Sequence, residues 1–265
     1  MRVTFPSKTT VLGVPLEVQQ IPGPQRRPTL VFLHEGLGSV ALWREWPARL
    51  CERLDCAGLI YSRQGYGQSA AREDVRGRGR LQPDYMHREA LQVLPSLLSQ
   101  LDISHPVLIG HSDGGTIALL HAAHHPVDAC IVMAPHVMVE NISVQSIEAA
   151  REAYENGSLR SRLTPFHADV DCAFWQWNDV WLSPAFRRYD IRQEITSIGA
   201  PLLAIQGEND LYGTMAQIDD IAAAVPHAQL LKLPQCGHSP HRDQPEAVAK
   251  AVQTFLRESS GRARG

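Results

Sequence analysis

A chain of 265 residues, 44% of them hydrophobic, carries enough apolar side chain to bury one large core, which fits a single domain with room for an insertion. Its formal net charge of −3 has no long block of one sign behind it, so nucleic acid is not an expected partner. No stretch approaches the roughly 20 apolar residues that cross a bilayer, and the start MRVTFPSKTT has no apolar leader core; the expectation is a cytoplasmic protein with no membrane partner.

The chain opens with Val3–Thr10 and Val14–Ile21 around a Gly-containing turn, the pattern of an antiparallel hairpin at a sheet edge. From Thr29 onward short apolar runs alternate with helical spacing, the mark of a mostly parallel α/β sheet flanked by helices. The runs TLVFLH (Thr29–His34), GLIYS (Gly58–Ser62), PVLIGH (Pro106–His111), VDACIVMA (Val127–Ala134), PLLAIQ (Pro201–Gln206) and AQLLKL (Ala228–Leu233) read as strands. Helical patterns cover Val40–Leu54, Asp84–Leu101, Asp113–His124, Thr214–Val225 and Pro245–Leu256. The arginines between Arg72 and Arg80 are interrupted by acids and glycines and read as a solvated loop. From His136 to about Ser197 the alternation stops in a helical stretch containing Phe174, Trp175, Trp177, Trp181 and Phe186. Its place between two strands makes 136–197 a candidate helical cap (lid) inserted into a core of 1–135 and 198–265; the alternative is surface helices packing aromatics on the core.

Gly110-His111-Ser112-Asp113-Gly114 matches Gly-x-Ser-x-Gly between a buried strand and an Ala/Leu-rich helix. That is the context in which a tight turn exposes a nucleophilic serine, and the glycines are required where a Cβ would meet the neighbouring backbone. A serine hydroxyl needs a base, and the base needs an orienting acid, in chain order Ser, Asp or Glu, His. Asp210, in GEND after the PLLAIQ strand, is the acid, with Glu208 the competitor. His238, in QCGH after the last strand, is the base among twelve histidines. The oxyanion donors are expected to be the backbone N–H groups of Asp113 and Gly36, with Glu35 as runner-up for the second. Neither His121/His125 nor His238/His241 has a third metal ligand placed beside it, so no metal is expected. The five cysteines lack paired CxxC spacing and read as reduced thiols, with Cys236 at the rim of the site.

HEGLGSVALW (His34–Trp43), YSRQGYGQS (Tyr61–Ser69), GHSDGG (Gly110–Gly115), GEND (Gly207–Asp210) and CGHSPHRDQPEAV (Cys236–Val248) together resemble the α/β-hydrolase superfamily along nearly the whole chain. The resemblance implies an eight-stranded sheet, a cap over the site and cofactor-free hydrolysis by a lid-containing serine esterase. The expected reaction is cleavage of a small to medium ester or related acyl bond through an acyl-enzyme on Ser112. C–C bond hydrolase, thioesterase and lactonase chemistry use the same three residues, and a receptor-like ligand binder is the alternative of another class. Serine at 112 argues against branches with an aspartate nucleophile. Glu35 departs from the pattern, where relatives usually carry glycine; its carboxylate is expected to turn away from the oxyanion, into hydrogen bonds with His34 or a cap residue. Glu35, Trp43, His136, Val137, Met138, Trp177 and Trp181 are candidate pocket residues. A monomer or weak homodimer is expected.

Overall fold

Leu12 and Gly13 both take positive φ, 50° and 83°, and so form a two-residue turn whose twist suits a hairpin. It joins β1 (Ser7–Val11) to β2 (Val14–Ile21), paired from Ser7↔Val18 to Val11↔Val14. The computed structural model describes residues 6–262; the Val3–Phe5 end of the expected first strand lies outside the described residues. The remaining strands are β3 (Thr29–Leu33), β4 (Ala57–Tyr61), β5 (Val107–His111), β6 (Ala129–Met133), β7 (Leu202–Gly207) and β8 (Gln229–Leu233). The sheet runs β1-β2-β4-β3-β5-β6-β7-β8. β1/β2 and β2/β4 are antiparallel, and every pair from β4/β3 to β7/β8 is parallel.

Both faces of β3 to β7 are covered, which is why those strands read as apolar runs, whereas β8 at the edge is only partly buried. Leu30 and Phe32 of β3 join Ile60, Val107, Ile109, Ile131 and Ile205 in the core of one face, under α1 (Trp46–Leu54) and the C-terminal helix. Val31 and Leu33 point the other way, with Leu108, Val132 and Ala204, against α2 (Tyr85–Arg88), α3 (Leu94–Gln100) and α4 (Asp113–His124). α4 buries Ile117, Ala118, Leu119 and Leu120 completely.

Two expected helices are interrupted for local reasons. Arg44, at φ 54° and ψ −137°, splits Val40–Leu54 into a 3-10 turn at Ala41–Trp43 and α1, with Pro47 in the first turn where its missing N–H costs nothing. Pro95 cannot donate within the helix, and the stretch Glu89–Val93 between α2 and α3 widens into a π turn just before it.

Between β6 and β7 lie α5 (Asn141–Glu155), α6 (Leu159–Leu163) and α7 (Val170–Trp181), with short 3-10 turns around them. α8 (Ala216–Ala224) follows β7, and α9 (Pro240–Asp243) and α10 (Pro245–Arg262) close the chain. The Arg72–Arg80 stretch is the exposed loop expected of it, but it is also fastened to α7. Arg76 donates from Nε to Asp179 Oδ2 at 2.9 Å and lies 3.9 Å over the Trp175 ring, and Arg80 donates to the Asp179 carbonyl at 3.0 Å. Partners about a hundred residues away are invisible to local sequence. Among the described residues no helix is long and apolar enough to cross a membrane.

Candidate active site

The carboxyl ends of β3, β5, β7 and β8 carry the loops in which open α/β sheets collect their reactive groups. At the end of β5, Ser112 sits at φ 54° and ψ −120°, a conformation that L side chains rarely adopt and that persists only when its surroundings enforce it. The enforcement is visible. Ser112 N–H donates to the Met133 carbonyl at 2.9 Å, and its own carbonyl accepts from Thr116 N–H at 3.0 Å to start α4. A Cβ at Gly110 would fall 2.2 Å from the Gly114 carbonyl oxygen, and one at Gly114 would fall 2.0 Å from that of Leu33, so the turn and the loop after β3 close on each other only with glycine at both positions.

His238 Nε2 lies 3.0 Å from Ser112 Oγ, and His238 Nδ1 lies 2.9 and 2.8 Å from the two oxygens of Asp210. Asp210 is buried and also accepts from Gln206 Nε2 at 2.7 Å and from Tyr212 N–H at 2.7 Å. Burial pushes its carboxyl upward, but the bonds from His238 and Tyr212 outweigh this and hold it below the usual carboxylate range. An ionised Asp210 accepts from His238 Nδ1–H, which leaves the Nε2 lone pair for the serine hydroxyl. Glu208, the alternative acid, is exposed.

The loop after β3 packs against α7, where the Trp177 indole covers Gly36 so closely that a Cβ there would lie 2.2 Å from its Nε1. Asp113 opens α4, so its N–H is free of helical bonding. Its side chain is buried, accepts from the Tyr85 hydroxyl at 2.6 Å and faces Arg63 at 3.9 Å, and burial raises its pKa. Arg63 in turn donates to the carbonyls of His34 at 2.5 Å and Glu35 at 3.0 Å, and its N–H donates to His34 Nε2 at 3.1 Å. His34 Nδ1–H donates to the Glu35 carbonyl at 2.7 Å, and burial followed by Arg63 keeps the ring neutral, well below the ordinary histidine value.

The Glu35 side chain bonds neither His34 nor a residue of the 136–197 segment. It turns instead to the C-terminal loop: Oε1 accepts from Arg242 at 3.0 Å and Oε2 lies 3.5 Å from His111 Nδ1. Burial pushes its pKa up, but His111 and then Arg242 outweigh this and hold it well below the carboxylate range. His111 Nε2 lies 2.6 Å from the His238 carbonyl. Glu35 and His111 thus connect the loop after β3 to the backbone of His238.

The candidate pocket residues divide. His136 stands 5.8 Å from the His238 ring and 4.9 Å from Trp181, and burial, then repulsion from His238, lowers its pKa to about 3. Trp181 donates to the Tyr85 hydroxyl at 3.0 Å. Met138 is tied by its backbone to Asp190 and Gln217, and Val137 N–H donates to Gln217 Oε1 at 2.8 Å. Trp43 is turned into the opposite core, with Phe32, Trp46 and His241. Cys236 does not sit at a rim; it is fully buried and burial pushes its thiol to about 11. His121 and His125 stack at 4.6 Å. Not anticipated from sequence were Tyr212, whose ring lies 4.7 Å from His238, and Arg63, Tyr85, His111, Gln206 and Arg242. Gln206 carried a signal, a polar end on an otherwise apolar strand.

The alpha/beta hydrolase family model matches residues 30–251. The chain is 25% identical over 272 residues to a mouse sn-1-specific diacylglycerol lipase, covering 92% of this chain and 85% of that protein. It is also 25% identical over 257 residues to 2-succinyl-6-hydroxy-2,4-cyclohexadiene-1-carboxylate synthase of Enterobacter sp., covering 87% and 92%. Among solved structures, the enol-lactonase of Burkholderia xenovorans superposes with a TM-score of 0.74 at 20% identity, over 95% of this chain and all 100% of that one. With its fold and with a family match spanning most of its length, the chain belongs to the alpha/beta hydrolase family.

Proposed function

We propose that this hydrolase cleaves a carboxylic ester or related acyl bond of a small to medium substrate through an acyl-enzyme on Ser112. The observation that carries the reading is the continuous chain Ser112 Oγ, His238, Asp210, at 3.0, 2.9 and 2.8 Å, built on a serine held at positive φ. His238 Nε2 takes the hydroxyl proton as Ser112 Oγ bonds to the acyl carbon; collapse of the tetrahedral intermediate expels the alcohol oxygen, which takes that proton from Nε2. Water then attacks the acyl carbon, giving its proton to Nε2, and Ser112 Oγ leaves with that proton. Asp210 holds the tautomer and balances the imidazolium, and the N–H groups of Gly36 and Asp113 stabilise the oxyanion. The 136–197 segment is the cap, bringing Trp177, Trp181 and His136 over the reacting carbon. Its relatives include ester-cleaving enzymes by name, a diacylglycerol lipase and a pimeloyl-[acyl-carrier protein] methyl ester esterase of Xanthomonas oryzae. Five unpaired, buried cysteines suit a reducing compartment such as the cytoplasm.

The test is hydrolysis of p-nitrophenyl acetate, butyrate and octanoate, with intact mass after a fluorophosphonate. The wild type is expected to turn over and label once, while Ser112→Ala loses labelling and at least about a thousandfold in kcat. A wild type that is not labelled overturns the assignment of Ser112. Labelling without ester turnover would move the reading to thioester, lactone or C–C bonds.

A further inference from the structure

Behind the serine turn, on the far side of Asp113, a cavity of about 190 Å³ opens between the loop after β4, the π turn and α7. Arg63, Arg72, Arg80 and Arg88 line it, against one carboxylate, Glu89. The charges there are not balanced. Arg88 is paired with Asp84 at 2.8 Å and Arg63 is engaged on two carbonyls and faces Asp113 at 3.9 Å, whereas Arg72 feels Glu89 only at longer range and, among the described residues, neither Arg72 nor Arg80 forms an ion pair. Half-buried Arg72 spends its Nε on Gln176 Oε1 at 3.1 Å, which leaves both terminal nitrogens of its fork unused. Glu89 is itself occupied, accepting from the Tyr61 hydroxyl at 2.8 Å, and burial raises its pKa. Tyr66 also lines this enclosure: the residue is 2% exposed, and its hydroxyl feels the charges of Arg63 and Arg72 but has no well-formed hydrogen bond among the described residues. A buried hydroxyl without a partner and a guanidinium fork without an acid each cost free energy that a bound oxyanion would return.

We propose that this cavity is an anion site, in which the Arg72 fork and the Tyr66 hydroxyl hold one phosphate- or carboxylate-sized group while Arg80 and Arg88 attract it at the mouth. The volume, about 190 Å³, has room for such an oxyanion. The site is separate from Ser112 but linked to it. Arg63 and Tyr85 line the cavity and also face Asp113 Oδ2, at 3.9 and 2.6 Å, so an anion there competes for the groups that fix the residue after the nucleophile.

The test needs no esterase assay and stands whatever bond the enzyme cleaves. Phosphate or acetate is titrated into the full-length protein at pH 7.5, with sodium chloride keeping ionic strength constant, and followed by melting temperature and calorimetry. A saturable rise in melting temperature is expected for the wild type. Arg72→Gln should weaken the dissociation constant at least about tenfold, Tyr66→Phe about threefold to tenfold, and Arg72→Lys less than Arg72→Gln. A response to phosphate alone identifies a phosphoryl group, and an equal response to acetate a carboxylate. No saturable effect of either anion beyond chloride overturns the proposal, as does wild-type affinity in Arg72→Gln or in Tyr66→Phe, which keeps the ring and its packing.

Discussion

Glu35 places a full negative charge one residue from Gly36, in a loop that on the proposed mechanism must stabilise another. The conflict is resolved by direction: its carboxylate is turned toward Arg242 and His111, and on that mechanism the loop would offer the reacting carbon its backbone. If that tether sets where the loop and the His238 backbone stand, Glu35→Ala should lower kcat about 10- to 100-fold with KM within about threefold, since displacements near 1 Å at reacting groups cost about this much. Glu35→Gln, which keeps an acceptor for Arg242, should lose less than about tenfold. Both variants retaining wild-type kcat would show that the tether is dispensable. Ser112, Asp210 and His238 could be picked from sequence because each follows a strand, and strand ends of such sheets converge. The direction of Glu35 was not legible in the same way. Arg242 is 207 residues away, and nothing local to either residue announces the pair.

At the level of elements, β3 to β7 were legible for the reason that makes them stable: both faces are buried, so the apolar runs are continuous. What escaped was the docking of one irregular segment on another. Asp179 of α7 is buried yet receives Arg76 at 2.9 Å and Arg151 at 3.3 Å, with Trp175 stacked beneath Arg76. It therefore joins the loop after β4 and α5 to α7. Asp179→Ala removes the carboxylate from Arg76 and Arg151, of which Arg151 keeps Asn178 Oδ1 at 2.8 Å and both reach solvent, and should cost about 1 to 2 kcal/mol. The loss should be local. Hydrogen exchange in 170–181 and 72–80 should speed up while that of β3 and β5 stays slow; uniform acceleration across the sheet would mean that α7 does not open as a unit.

The molecule as a whole encloses several histidines, and this sets how it responds to acid. Burial, opposed by a bond from Nδ1–H to the Ala90 carbonyl at 2.8 Å, lowers the pKa of His121 to about 4, and that of His136 falls to about 3. In the unfolded chain both return to about 6.5. Between pH 6.5 and 4 the unfolded state therefore binds protons that the folded state refuses, so the stability these rings confer is complete above pH 6.5 and drains away as the pH falls. At pH 5 the loss from His121 alone is about 2 kcal/mol at most. Asp210 and Glu35, whose pKa values are depressed, remain ionised in both states at pH 5 for the most part and contribute little to this slope. His121 lies away from Ser112 on α4, against Ala90, which makes it the cleaner probe of the two. His121→Gln keeps a donor for the Ala90 carbonyl but cannot titrate, and its urea midpoint should fall less than that of the wild type between pH 7.5 and 5.0, by the equivalent of about 1 to 2 kcal/mol. Equal falls in the two proteins would place the acid sensitivity elsewhere, in His136 and the other enclosed rings.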